Sequence, residues 1–74
     1  MPYVNIKVTK EGGIDNTGPT QEQKAELIAG VTELLSKVLN KQPATTFVVI
    51  DEVPLEDWGI GGLPVTDYRK LKSN

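Results

Sequence analysis

The sequence predicts an α/β fold in which a single β-α-β unit with parallel strands is followed by a C-terminal hairpin and completed by oligomerisation. Two segments have the composition of strands, and the long segment between them has helical periodicity. The 74 residues include neither Cys nor His, so disulfides and most metal sites cannot support so small a domain. We therefore expect one domain, residues 1–74, that associates with further copies of itself.

The first predicted strand covers residues 3–9. Apolar and mainly polar side chains alternate along it, and one face is formed by Val4, Ile6 and Val8. Residues 10–19 then carry three Gly, an Asp-Asn pair and a Pro without periodicity, which is typical of a loop.

A helix is predicted to begin after Thr20, because Thr20 and Gln23 have the spacing of a capping box. Asn40 suits its C-terminal cap, and Pro43 opposes continuation. Apolar residues recur along it with a period near 3.6, which predicts one stripe facing a core. They are Leu27, Ile28, Val31, Leu34, Leu35, Val38 and Leu39.

The second predicted strand covers residues 45–52, which read TTFVVIDE. Strand, helix and strand in this order predict parallel pairing through a right-handed crossover. The helix covers only one face of such a sheet and leaves Phe47 and Val49 on the other. Because a two-stranded sheet with a bare apolar face is not stable, we expect another subunit to cover that face.

The C-terminal third begins with Pro54, which ends the second strand, and a short turn is expected at residues 55–58. The GIGG segment at 59–62 can adopt positive φ and predicts a hairpin. Residues 63–74 show little pattern, so we expect this tail to become ordered only against a neighbouring subunit.

Composition excludes several functions. A net charge of −2 gives no electrostatic basis for binding nucleic acid. No targeting segment or long apolar run is present, so we expect no membrane partner and a cytoplasmic location. The absence of Cys and His removes the common triads and metal ligands, and GIGG lacks the Walker and dinucleotide spacings, so neither a metal nor a cofactor is expected.

Pro2 is the candidate catalytic residue. Initiator Met is normally removed before a small residue, and its removal would leave Pro2 with a free secondary amine. An unprotonated amine can take a proton from a carbon next to a carbonyl, most effectively when its pKa is near neutral. Many chains begin Met-Pro without catalytic function, so the dipeptide alone does not decide the matter.

The segments MPYVNIKV, PTQEQKAELI, FVVIDEV and WGIGG occur in this order over residues 1–62. In this combination the chain resembles the 4-oxalocrotonate tautomerase family. The resemblance implies a β-α-β subunit assembled as a homo-oligomer, usually a hexamer, in which Pro2 shuttles a proton on a small carboxylate substrate. It also implies that Trp58 forms an apolar wall of the site; packing at a subunit interface is the alternative for this aromatic side chain.

The chain departs from the family pattern at two arginine positions. Well-known members use an Arg near the end of the first strand and another in the second strand to bind carboxylates. Here the first position falls in the loop that offers Lys10, and the second aligns with Phe47. Lys10 and Arg69, the chain's single arginine, are the candidate replacements, although general residue statistics favour a solvated surface position for each.

Two other functions stay open at this point. A non-catalytic scaffold or binding protein could retain the fold without the arginines. Relatives that hydrate or dehalogenate unsaturated acids pair the proline with a carboxylate, and Asp51 or Glu52 could serve that role.

Overall fold

The structure is a computed structural model that describes residues 1–12 and 16–72, the last of these by its backbone alone. Its elements are β1 (Tyr3–Val8), α1 (Gln21–Leu39), β2 (Phe47–Glu52), β3 (Gly59–Ile60), β4 (Leu63–Pro64) and α2 (Val65–Lys72). The predicted β-α-β unit with a C-terminal hairpin is confirmed. Parts of the predicted loop, at 13–15, and of the predicted tail, at 73–74, lie outside the described residues.

The β1–β2 sheet is parallel, with a register that runs from Tyr3 opposite Phe47 to Val8 opposite Glu52. β2 begins two residues later than predicted, because residues 43–45 form a 3₁₀ turn that starts at Pro43. The Thr46 amide closes this turn by donating to the Pro43 carbonyl at 3.2 Å. Side chains alternate between the two faces of the sheet. We call the face that α1 covers the helix face, and the opposite face, which carries Tyr3 and Phe47, the open face.

Helix α1 has the predicted ends. Thr20 Oγ1 accepts from the Gln23 amide at 3.1 Å, and Gln23 Oε1 accepts from the Thr20 amide at 2.8 Å, so the capping box is complete. Asn40 ends the helix in the left-handed conformation, with φ of 56°. Its amide donates to the Ser36 carbonyl at 3.0 Å. These local bonds fix where the crossover leaves and rejoins the sheet.

A single chain leaves much apolar surface exposed. No residue in the described part of the chain is fully buried, and the side chains of α1 that are partly covered include Val31 and Leu35. The predicted apolar stripe is wider than the sheet beneath it, since Val38 is 67% exposed. On the open face Tyr3 is 64% exposed and Phe47 is 53% exposed. Both layers therefore have apolar area that a single copy does not cover.

The C-terminal segment forms a hairpin followed by a helix. β3 and β4 are antiparallel, with Ile60 opposite Leu63, and Gly61 and Gly62 occupy the turn with φ of 62° and 83°. Positive φ at both positions makes this a mirror-image turn of the kind that suits glycine.

Residues 63–72 form β4 and α2. The Val65 amide donates to the Trp58 carbonyl at 2.8 Å, which joins the start of α2 to the base of the hairpin. Arg69 then connects α2 to Glu11, next to the end of β1. The second of these contacts joins residues 58 positions apart in sequence, so it leaves no local pattern in the segment. In the described residues, no helix combines the length and apolar character needed to cross a membrane.

Candidate active site

Pro2 and Phe47 lie together at the N-terminal end of the β1–β2 sheet. The Phe47 amide donates to the Pro2 carbonyl at 3.0 Å, so Pro2 is tied to the first residue of β2. Pro2 is partly covered, whereas Met1 is 86% exposed. The structure thus brings together the candidate base and the residue that aligns with the second family arginine, and it leaves Met1 accessible from solvent.

Lys10 lies beyond the other end of β1. Six strand residues separate the two ends, a span of about 20 Å. The Lys10 carbonyl accepts from the Gly18 amide at 3.1 Å, which closes the loop after β1. Lys10 also lines two adjoining cavities, of about 440 and about 510 Å³. Within one chain, Lys10 therefore cannot reach a substrate that contacts Pro2.

Arg69 is at the same end of the sheet as Lys10, where it binds Glu11. Arg69 Nη1 donates to Glu11 Oε2 at 2.8 Å, and Nη2 donates to Oε1, so the guanidinium binds the carboxylate with both arms. The hydrogen bonds from Arg69 lower the pKa of Glu11, and the same bonds raise the pKa of Arg69. Glu11 was not among the residues predicted from the sequence.

Trp58 belongs to the C-terminal unit that carries Arg69. Its amide donates to the Leu55 carbonyl at 3.1 Å, and its side chain is partly covered. It follows the C-terminal end of β2, whereas Pro2 is beside the N-terminal residue of that strand. The predicted site residues thus fall into two groups. Pro2 and Phe47 form one, and Lys10, Trp58 and Arg69 form the other.

Asp51 and Glu52 are held by partners on opposite faces of the sheet. Asp51 Oδ2 accepts from Asn5 Nδ2 and from Lys7 Nζ, each at 2.9 Å, and the first of these bonds is the main cause of a lowered pKa at Asp51. Glu52 Oε1 lies 2.6 Å from Lys24 Nζ, and this bond lowers the pKa of Glu52. Carboxylates that are ionised and engaged in this way are weak proton acceptors.

Metal ligands are not clustered in the described residues: no group of three or more Asp, Glu, His or Cys side chains there could hold an ion. One end of the sheet has Pro2 tied to Phe47, and the other has the basic side chains of Lys10 and Arg69.

The family model described as tautomerase enzyme matches residues 2–68. The chain belongs to the tautomerase family. It is 55% identical to the protein of Dickeya dadantii named probable tautomerase K2, over 99% of this chain and 100% of that one. The match confirms the resemblance noted from the four sequence segments and extends it into α2.

Solved structures agree with this assignment. The crystal structure of DmpI from Helicobacter pylori is 48% identical, with a TM-score of 0.76 over 93% of this chain and 97% of that one. A heterohexamer 4-oxalocrotonate tautomerase from Chloroflexus aurantiacus is 25% identical, with a TM-score of 0.69 over 90% of this chain and 97% of that chain. Membership of the tautomerase family supports a tautomerase-type, isomerase activity for this chain.

Proposed function

We propose that this protein is a cofactor-independent tautomerase in which the amine of Pro2 is the general base for a small enolisable 2-keto or 2-hydroxy-unsaturated acid. The observation that carries the proposal is the position of Pro2, which is hydrogen-bonded to Phe47 at the N-terminal end of the β1–β2 sheet. Removal of Met1 is required, because a retained Met would make the Pro2 nitrogen an amide. The exposure of Met1 supports its access to a processing enzyme.

The chemistry needs an uncharged amine and a bound carboxylate. The Pro2 nitrogen takes a proton from one position of the substrate, and the resulting ammonium returns it to another, so that an enol becomes a ketone. An apolar neighbour disfavours the charged amine and lowers its pKa, which is the role we assign to Phe47 and to Trp58. Lys10 and Arg69 supply the positive charge that binds the substrate carboxylate.

Because these groups lie at opposite ends of one subunit, the proposed site requires a second copy. In the described structure β1 pairs on one edge with β2 and has its other edge open. Antiparallel pairing of two such edges would bring Pro2 of one copy near the loop that carries Lys10 in the other. We propose a homo-oligomer, with a hexamer as the expected assembly and the cytoplasm as its location. The hexameric relative supports this stoichiometry.

A hydratase or dehalogenase mechanism is less well supported. It would need Asp51 or Glu52 to activate water, yet each carboxylate already accepts a hydrogen bond from a lysine of its own chain. The function of a non-catalytic scaffold would not depend on the amine of Pro2, and this property distinguishes it from the proposed enzyme.

The test is ketonisation of phenylenolpyruvate and 2-hydroxymuconate by purified protein whose intact mass shows that Met1 is absent. Protein that keeps an N-terminal extension, with an amide at Pro2, should lose at least about 100-fold in kcat/KM, since general-base catalysis contributes about that much. Pro2→Ala should also lose activity while its circular dichroism is unchanged. A processed wild type that is no faster than buffer would favour the scaffold, and activity indifferent to both changes would refute Pro2 as the general base.

A further inference from the structure

The Glu11–Arg69 pair occupies the one guanidinium that the chain possesses. Arg69 is on α2 and Glu11 is in the loop after β1, 58 positions earlier in the sequence. The planar guanidinium presents two parallel N–H groups, and both are used by the two oxygens of Glu11. This is the geometry with which a protein binds the carboxylate of a ligand.

We infer that Glu11 is a specificity-determining residue that competes with the substrate carboxylate for Arg69. In the absence of substrate Glu11 binds Nη1 and Nη2 of Arg69, and a substrate carboxylate that binds the same two groups must displace it. The inference rests on the proposed function, because it takes Arg69 as the carboxylate anchor of that site. It assigns to Glu11 a role opposed to binding, so that its removal should improve affinity.

The surroundings of Glu11 support a role in ligand access. Glu11 and Lys10 both line the two cavities at this end of the sheet, so Glu11 borders the space that a ligand would enter. Glu52 contributes a second carboxylate to the larger cavity, where Lys24 neutralises it. A carboxylate ligand in these cavities would therefore lie next to Glu11, and it could bind the same guanidinium N–H groups of Arg69 only by replacing Glu11 there.

The pair is exposed enough to exchange. The side chains of Arg69 and Glu11 are 54% and 38% exposed, so water can replace either partner. Exposed ion pairs are only modestly more populated than their separated state. A competitor of that strength raises an apparent dissociation constant by about two- to fivefold, because only the open fraction binds ligand.

A structural role alone makes different predictions. If the pair only fastens α2 to the loop after β1, Glu11→Gln and Arg69→Gln should both lower the melting temperature, and neither should improve ligand binding. Competition requires opposite effects of the two substitutions on affinity. It also requires that Glu11→Gln have no effect once Arg69 is absent.

The experiment compares wild type, Glu11→Gln, Arg69→Gln and the double variant, with Glu33→Gln on α1 as a charge-matched control. Each is tested for KM and kcat with phenylenolpyruvate and with its neutral methyl ester. Binding of 3-phenylpropionate, a carboxylate that does not tautomerise, is measured by isothermal titration calorimetry. Melting temperatures report whether each variant folds.

Glu11→Gln should lower KM for the acid and Kd for 3-phenylpropionate by about two- to fivefold at unchanged kcat, and leave the ester unaffected. Arg69→Gln should raise both constants, and the double variant should match it. Unchanged or weaker binding by Glu11→Gln, or the same gain without Arg69, would overturn the inference. Absence of turnover would count against the proposed function, while calorimetry would still decide the role of Glu11. Absence of 3-phenylpropionate binding in every variant would reject the proposed role of Glu11.

Discussion

Phe47→Ala tests whether the open face of the sheet is an interface between copies. Phe47 is 53% exposed in a single chain. An aromatic side chain has about 200 Å² to bury, so about 100 Å² of Phe47 is available to a partner. At about 25 cal/mol per Å² this area is worth about 2.5 kcal/mol. Alanine keeps the Cβ, so we expect a loss of about 2 kcal/mol, or roughly 30-fold in the association constant, for each Phe47 that is covered.

The assay is sedimentation velocity over a dilution series, which gives the dissociation constant of the assembly. Lys37→Ala on α1 is the control, because it also shortens an exposed side chain but removes no apolar area from the open face. Circular dichroism at the highest concentration checks that both variants fold. A dissociation constant for Phe47→Ala within twofold of wild type would refute the reasoning. Phe47 would then be left as a residue of the substrate site alone.

Two further predictions concern stability. Thr20→Ala should lower the free energy of unfolding by about 1 kcal/mol, because it removes the acceptor for the Gln23 amide. Urea denaturation at fixed protein concentration measures this, and Thr20→Ser, which keeps the acceptor hydroxyl, should retain most of the wild-type stability. The hydrogen bond from Asn5, and then the bond and charge of Lys7, lower the pKa of Asp51 in the folded chain. The ionised Asp51 therefore stabilises the fold fully above the pKa of Asp in the unfolded chain, about 4. This stabilisation is lost as the pH falls through the lower pKa of the folded chain. The melting temperature of wild type should therefore fall more steeply with acidification below about pH 4 than that of Asp51→Asn; equal slopes would contradict this.

The β-α-β unit could be predicted because its determinants are local. Thr20 and Gln23, three residues apart, form the capping box, and Asn40 ends the helix by adopting the left-handed backbone conformation. The start of β2 was predicted two residues early, since β-branched Thr45 and Thr46 favour a strand as much as Phe47 does. There the turn that begins at Pro43 prevails over residue preference.

Helix α2 could not be predicted in the same way. Eight residues are too few for a stable isolated helix, so its stability must come from tertiary contacts. Two of these are the bond from Val65 to Trp58 and the pair between Arg69 and Glu11. A weak signal exists in the spacing of Val65 and Tyr68, both partly covered, with Asp67 in the first turn.

The candidate site was predictable only in part. Pro2 stands out from the Met-Pro start together with the family resemblance, and no neighbour in space is needed to recognise it. The separation of Lys10 from Pro2 follows from strand length once β1 is known. The pairing of Arg69 with Glu11, by contrast, depends on where α2 packs, and nothing in the local sequence of either residue indicates it.

The division of the site residues between the two ends of β1 connects activity to assembly. In the proposed mechanism, a substrate that contacts the amine of Pro2 has its carboxylate bound by Lys10 or Arg69 only when these come from another copy. Dissociated subunits would retain the base and lose the carboxylate anchor, so KM should rise as the assembly dissociates. Phe47→Ala would then shift the concentration dependence of activity and of association together. Activity that persists in fully dissociated subunits would show instead that one chain contains a complete site.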